Sequence, residues 1–382
     1  MKTARLLYSC DADWYYATDI HVSDPAPWCQ ITDGKTHACV SALEFGLTQS
    51  HPHKVDTVHS MPSLSQRDKD LPPLLGTFKY MLDHADWPDV IEVPANFPAQ
   101  IFVQMKEAGW PVTVVDDPFF PTRPLKTAAE IEKIRHAQHI NEAGVAHLRT
   151  ILAEAEIGLE NKLFWQGQPL TSEVLKGELG SFLLKQGCDD FGGGPIIAGG
   201  AQSATPHDRG HGQLYAHQFI IIDSFPRGPE NYYGDLTRTY LKGTPTQWHK
   251  DVYAAVLAGQ EAGLNALKAG ITGEYVHKHV VDTIAGYGFE TGQTEDGTPY
   301  GFFHSTGHHL GLEVHDVGGR MLSVGGPELK AGMVTSVEPG LYYPPSTYNN
   351  HFGGCRIEDI AAITEEGHDN LTTLPKDDWI VD

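Results

Sequence analysis

Cations are scarce in this chain: 27 Lys and Arg stand against 49 Asp and Glu, a formal charge of −22. Phosphate-backbone binding needs clustered Lys and Arg, so no nucleic-acid partner is expected. Long apolar runs are also missing. A stretch such as Phe219-Ile220-Ile221-Ile222 falls far short of the roughly 20 residues a membrane helix requires, so no membrane role is expected. Asp11, Asp13 and Trp14 interrupt the start, which lacks the pattern of a secretory leader. Cysteine is sparse, with five residues (10, 29, 39, 188 and 355) and no Cys-x-x-Cys pair. That pattern fits free thiols in a reducing compartment better than a disulfide framework or a thiolate zinc site. A cytoplasmic location is the expectation, and Asn370-Leu371-Thr372 is read as a chance glycosylation match. The Gly-rich run from Phe191 to Gly200 lacks the Gly-Lys-Ser/Thr ending of a phosphate loop.

The elements that are present divide the chain. Residues 1–120 alternate β-rich pieces (Val90–Val93, Val112–Val115) with helical stretches such as Phe97–Ala108, which predicts a small α/β domain with a parallel or mixed sheet. Three prolines at 118, 121 and 124 exclude helix, and a linker is placed at residues 121–126. Residues 127–382 form the second region. Thr127 and Glu130 have capping-box spacing ahead of a helix reaching about Glu156. Helices are also predicted over Gln247–Lys268 and Thr272–Tyr287, with Gly270 and Gly288 as stops. Phe219–Asp223 and Leu236–Leu241 are predicted to pair as a hairpin; Met333–Glu338 and Cys355–Ile363 are two further strands. Helices packed on one curved sheet make this an α+β region.

Its densest chemistry lies at His304-Ser305-Thr306-Gly307-His308-His309-Leu310-Gly311-Leu312-Glu313-Val314-His315-Asp316. Gly307 and Gly311 leave room for close passage of backbone. Imidazoles are common metal ligands and proton shuttles, although a His-rich solvated loop reads the same alone. Carboxylates elsewhere tip the balance. Asp223 ends an apolar strand, Asp235 begins the next, Glu338 breaks another, and Glu358 sits in Arg356-Ile357-Glu358-Asp359. Buried unpaired carboxylates are costly. Each has a plainer reading: loop aspartates, a strand-end glutamate, a simple Arg356–Glu358 pair. Together with one imidazole they form a hard donor set suited to Mn²⁺, Co²⁺, Fe²⁺ or Zn²⁺, or to a pair of such ions about 3.5–4 Å apart.

These ordered segments resemble the pita-bread metallopeptidases, a family that includes aminopeptidase P, prolidase and methionine aminopeptidase. The resemblance covers roughly residues 125–382. It rests on Ile222-Asp223 with Gly234-Asp235-Leu236-Thr237-Arg238-Thr239, on His304–Asp316, on Val337-Glu338-Pro339-Gly340 and on Arg356-Ile357-Glu358-Asp359. It implies a pita-bread catalytic domain behind a smaller α/β domain, and two divalent ions, Mn²⁺ before Co²⁺, Zn²⁺ or Fe²⁺. Asp223, Asp235, His308, Glu338 and Glu358 would be the ligands, with Glu338 also moving a proton. His207, His304 and His315 would face the substrate, and Arg356 would support the ligands.

The separate N-terminal domain and the residues around His304 and His315 are similar to the proline-specific branch. The implied reaction is hydrolysis of Xaa-Pro bonds, as a dipeptidase or an aminopeptidase, through a hydroxide bridging the two metals. The implied partners are a small peptide with proline after its first residue and a second copy of the chain in a homodimer. Alternatives are a hydrolase of this fold acting on a non-peptide amide or phosphoester, and a non-catalytic binding protein. The chain departs from the family pattern in a longer Asp223–Asp235 turn, in Phe225 where a glycine is usual, and over residues 201–217. A dipeptidase also needs a cation for the substrate carboxylate, for which Arg209, Arg227 and Arg356 are candidates.

Overall fold

A computed structural model describes residues 1–61, 68, 70–83, 87–348 and 351–382. The chain forms two compact units, Met1–Arg123 and Pro124–Asp382.

The first unit is built on a six-stranded mixed sheet. Its spatial order is Thr57–Ser60, Thr36–Val40, Ala26–Gln30, Thr3–Ser9, Val90–Val93, Val112–Val114. The three strands from Thr3 to Val40 pair antiparallel, and the other three pairings, one on one side and two on the other, are parallel. Successive residues of a strand point to opposite faces. Leu6 therefore joins a core with Leu75, Phe78, Met81 and Ile91, while Leu7 joins Trp14, Trp28, Phe119 and Phe120. Asp13 and Arg123 form a buried ion pair at 2.7 Å within this unit.

The second unit opens with a helix over Ala128–Glu154, and both halves of the Thr127/Glu130 capping box are formed. Helices over Gln247–Ala266 and Gly273–Gly286 follow, with Thr246 and Thr272 as caps. Gly288 takes the left-handed conformation just past the second of these, and Gly270 does so a short way past the first. The helix over Ser172–Lys185 is an addition to the sequence-based expectation.

The strands fall into separate small sheets. Ile196–Gly199, Ile220–Ser224 and Leu236–Lys242 pair antiparallel in that order, with Ile380–Val381 parallel on the outer edge. The expected hairpin is present, with Asp223 opposite Thr237. Val334–Val337 pairs with Asp359–Ile363, which pairs with His368–Asn370. Gly340–Tyr348 pairs with His351–Arg356. The expected single strand over Cys355–Ile363 is thus two strands, broken at Ile357 and Glu358. The break lets one segment serve two different sheets, with Glu358 at the junction. Among the described residues, no helix is long and apolar enough to cross a membrane.

Candidate metal centre

The site is assembled by backbone pairing before any side chain acts. The His304–Asp316 segment runs beside Val334–Val337: Leu310 N–H donates to Val334 O at 3.1 Å, Ser336 N–H to His308 O at 3.0 Å, and Glu338 N–H to Thr306 O at 2.8 Å. This approach needs Gly307, where a Cβ would fall 1.9 Å from Ser336 O. Gly311 makes a different space: a Cβ there would meet the Asp316 carboxylate at 2.2 Å and the Lys126 side chain at 2.9 Å. Gly307 therefore allows the close passage of backbone that its position predicts, whereas Gly311 makes room for side chains. On the other side, Glu358 N–H donates to Thr237 O at 3.1 Å, which ties the strand break to the hairpin carrying Asp223 and Asp235.

His308 Nε2 consequently lies 3.2 Å from Glu338 Oε1 and 3.5 Å from Asp235 Oδ2. Its Nδ1 lies 3.0 Å from the His309 carbonyl, which fixes the ring and directs Nε2 at the carboxylates. Glu358 accepts a 2.9 Å hydrogen bond from the Thr237 hydroxyl. Arg356 donates to Asp223 at 2.6 Å, to the Tyr342 hydroxyl at 2.9 Å and to Thr237 Oγ1 at 3.1 Å. The mundane Arg356–Glu358 pairing is replaced by this long-range Arg356–Asp223 pair. His304 Nε2 sits 3.0 Å from the same Tyr342 hydroxyl, and the His308 and His315 rings meet edge to face at 4.3 Å.

One cavity of about 790 Å³ gathers these groups. Asp223, Asp235, His308, Glu338, Glu358, His207, His304, His315 and Arg356 all line it, along with Arg209, Phe225 and Phe303. Sequence reasoning did not single out Tyr342 or Thr237. Thr237 had a signal: it lies two residues after Asp235 on one strand, and alternation puts both on one face. Tyr342 had none, because its partners Arg356 and His304 come from distant segments.

The electrostatics are those of too much negative charge in too little water. Burial, then Glu358, Asp223 and Glu338, push the Asp235 carboxyl well above the ordinary range. Burial and the neighbouring carboxylates do the same to Glu358, and burial raises Asp223 despite Arg356. Burial opposes charge on His308, but its hydrogen bond with Glu338 and the nearby carboxylates win, taking it to about 9. Glu338 is correspondingly held at about 2, burial being outweighed by the His308 contact. Burial lowers His304 to about 4 and also lowers His315.

This donor set fits divalent cations. One donor atom from each of Asp235, His308 and Glu358 lies within 4.8 Å of the others. Hard oxygens with a single imidazole suit first-row divalent ions, and cations would relieve the carboxylate repulsion. Glu338 adjoins this group through His308, whereas Asp223 is directed at Arg356.

A pita-bread α+β domain carrying such a carboxylate–imidazole centre defines a class, the metal-dependent peptidases of this fold. A family model for metallopeptidase family M24 matches residues 132–365, and the chain belongs to that family. The chain is 32% identical over 257 residues to an uncharacterized peptidase of Bacillus subtilis, covering 67% of this chain and 64% of that one. It is 30% identical over 266 residues to a Xaa-Pro dipeptidase of Pyrococcus furiosus, covering 69% and 67%. The match thus spans about two thirds of these relatives' length. Among solved structures, an X-Pro aminopeptidase from Thermotoga maritima superposes with a TM-score of 0.81 at 23% identity, covering 99% of this chain and 97% of the other. A prolidase from Pyrococcus horikoshii gives 0.78 at 22% identity, covering 99% and 95%. These likenesses establish the fold.

Proposed function

We propose that the protein hydrolyses Xaa-Pro peptide bonds with two divalent ions held by Asp223, Asp235, His308, Glu338 and Glu358. The observation that carries the reading is the convergence of all five on one cavity, with His207, His304, His315 and Arg356 around them. The names of the Pyrococcus furiosus and Thermotoga maritima relatives support the proline specificity. Manganese is the first candidate metal, and a cytoplasmic homodimer the proposed setting. Residues 1–120 form the proposed N-terminal domain and 127–382 the catalytic one.

When bound, the two ions would acidify a water and polarise the scissile carbonyl. The chain's own residues do the rest. Metal ligation would require a neutral His308, whose Nε2 lies 3.2 Å from Glu338 Oε1. The Glu338 carboxylate would accept the water proton and deliver it to the leaving nitrogen. That delivery matters here, because the nitrogen of an Xaa-Pro bond carries no hydrogen of its own. His304, kept neutral by burial, and His207 and His315 at the same cavity supply hydrogen bonds to the substrate and the developing oxyanion. Arg356 holds Asp223 and, through the shared Tyr342 hydroxyl, the position of His304.

The test is an assay of metal-stripped protein on Ala-Pro and Ala-Pro-Ala with Mn²⁺, Co²⁺ and Zn²⁺ supplied in turn. Hydrolysis of at least one peptide should return with metal and remain absent in Asp235→Ala. Turnover by stripped protein, or none with any metal, contradicts the reading.

A further inference from the structure

The cavity holds four carboxylates, and a substrate that brings a fifth must be offered a cation. Of the three candidate arginines, Arg356 is buried and engaged with Asp223 and Tyr342. Arg227 is bound to Asp189 at 2.8 Å and does not line the cavity. Arg209 does line it, and among the described residues it is in no ion pair with a carboxylate.

Arg209 is also seated with unusual definition for an exposed side chain. Its carbonyl accepts from Ile197 N–H at 3.0 Å, which pins its backbone to the Ile196–Gly199 strand. The chain turns there only because residue 210 is glycine, whose Cβ would fall 1.8 Å from Ile197 O. Asp208 closes the turn by accepting from Gly210 N–H at 2.9 Å. The guanidinium donates to the Gly194 carbonyl and lies over bare backbone, with Nη2 only 3.2 Å from where a Gly193 Cβ would stand. Gly193 and Gly194 both have positive φ, at 85° and 103°. Gly192 beside them is covered by the ring of Phe225, the residue that replaces the usual glycine and itself lines the cavity. Phe225 and Arg209, which belong to two of the departures from the family pattern, thus meet the Gly192–Gly194 run in one built feature: a glycine seat that holds a cation at the cavity wall. A guanidinium uses one or two of its five N–H donors on such a seat and keeps the others for a carboxylate.

We propose that Arg209 binds the free α-carboxylate of an Xaa-Pro dipeptide and so makes this chain a dipeptidase. The inference rests on the Xaa-Pro reading above and deepens it. Arg320 is the competing cation; it lines an adjoining cavity of about 690 Å³ that shares Phe303, His304, Ser305 and His308 with this one but lacks Asp223, Asp235 and Glu358.

The experiment compares metal-loaded protein on Ala-Pro, Ala-Pro amide and Ala-Pro-Ala, with Arg209→Ala, Arg209→Lys and Arg320→Ala alongside. The native chain should prefer the free acid. Arg209→Ala should raise KM for Ala-Pro roughly tenfold to a hundredfold, the worth of a charge-assisted hydrogen bond. It should leave kcat, and KM for the amide, nearly unchanged. Arg209→Lys should recover part of the loss, which a merely structural role would not give, and Arg320→Ala should behave as the native chain. Intact hydrolysis with an unchanged acid-to-amide ratio in Arg209→Ala overturns the inference alone, as does loss of the preference in Arg320→Ala instead. Failure of the native chain to cleave any Xaa-Pro substrate overturns the functional reading and the inference together.

Discussion

Arg356 shows at the residue scale how the site is balanced. It is 3% exposed and bonds Asp223, Tyr342 and Thr237 at once, a planar fork that a lysine cannot reproduce. Removing it strands Asp223 as an unpaired buried carboxylate. Breaking a buried pair from one side costs about 3–5 kcal/mol. We therefore expect metal-free Arg356→Ala to unfold in denaturant with about that much less stability, and added Mn²⁺ to restore a large part, because a cation again faces Asp223. Native-like stability of the metal-free variant would contradict the pairing. The sequence showed Arg356 and Glu358 close together and invited a local pair. What it could not show is that Asp223, 133 positions away, is the actual partner, because that proximity is made by folding. Tyr342 was invisible for the same reason. Asp223, Asp235 and Glu338 stand out because each is a charge at the edge of an apolar strand, a local anomaly that does not depend on knowing the fold. His308 and Glu358 are assigned as ligands only through the family resemblance.

Capping carries most of what was legible at the scale of elements. Thr127, Thr246 and Thr272 each accept from a backbone N–H at a helix start. The Ser172–Lys185 helix also has such a threonine, Thr171, and buried Leu175, Leu179 and Leu183 at four-residue spacing. Gly177 and Gly180 inside it dilute that pattern. The Gln247–Ala266 helix has a titratable cap. His249 Nδ1 accepts from Thr246 N–H at 3.1 Å, which requires an unprotonated nitrogen. Burial, then the charges of His351 and His217, lower His249 to about 4. Between its ordinary value of about 6.5 and that lowered value the unfolded chain binds a proton that the folded chain does not. The associated stability is complete above about pH 6.5 and is lost as pH falls toward 4, by about 2–3 kcal/mol. Glutamine at this position can accept the same bond without titrating. His249→Gln should therefore lose less stability than the native chain between pH 6.5 and 4 in parallel denaturant titrations. Identical pH dependence would exclude His249 as a contributor.

The whole molecule places a concentrated acidic centre in a chain already at −22. Its second unit joins separate small sheets through the hairpin at Asp223 and Asp235, the strand break at Glu358 and the glycine-spaced segment at His308. No single element holds the centre, so its loss should be cooperative: removal of one ligand should empty it. The most direct measurement is metal content per chain by mass spectrometry after Mn²⁺ loading, taken beside Ala-Pro hydrolysis on the same samples. The account predicts two equivalents and activity in the native chain, with both falling to background in Glu358→Ala. Two retained equivalents with full activity in Glu358→Ala, or full activity in native protein containing no metal, would contradict it.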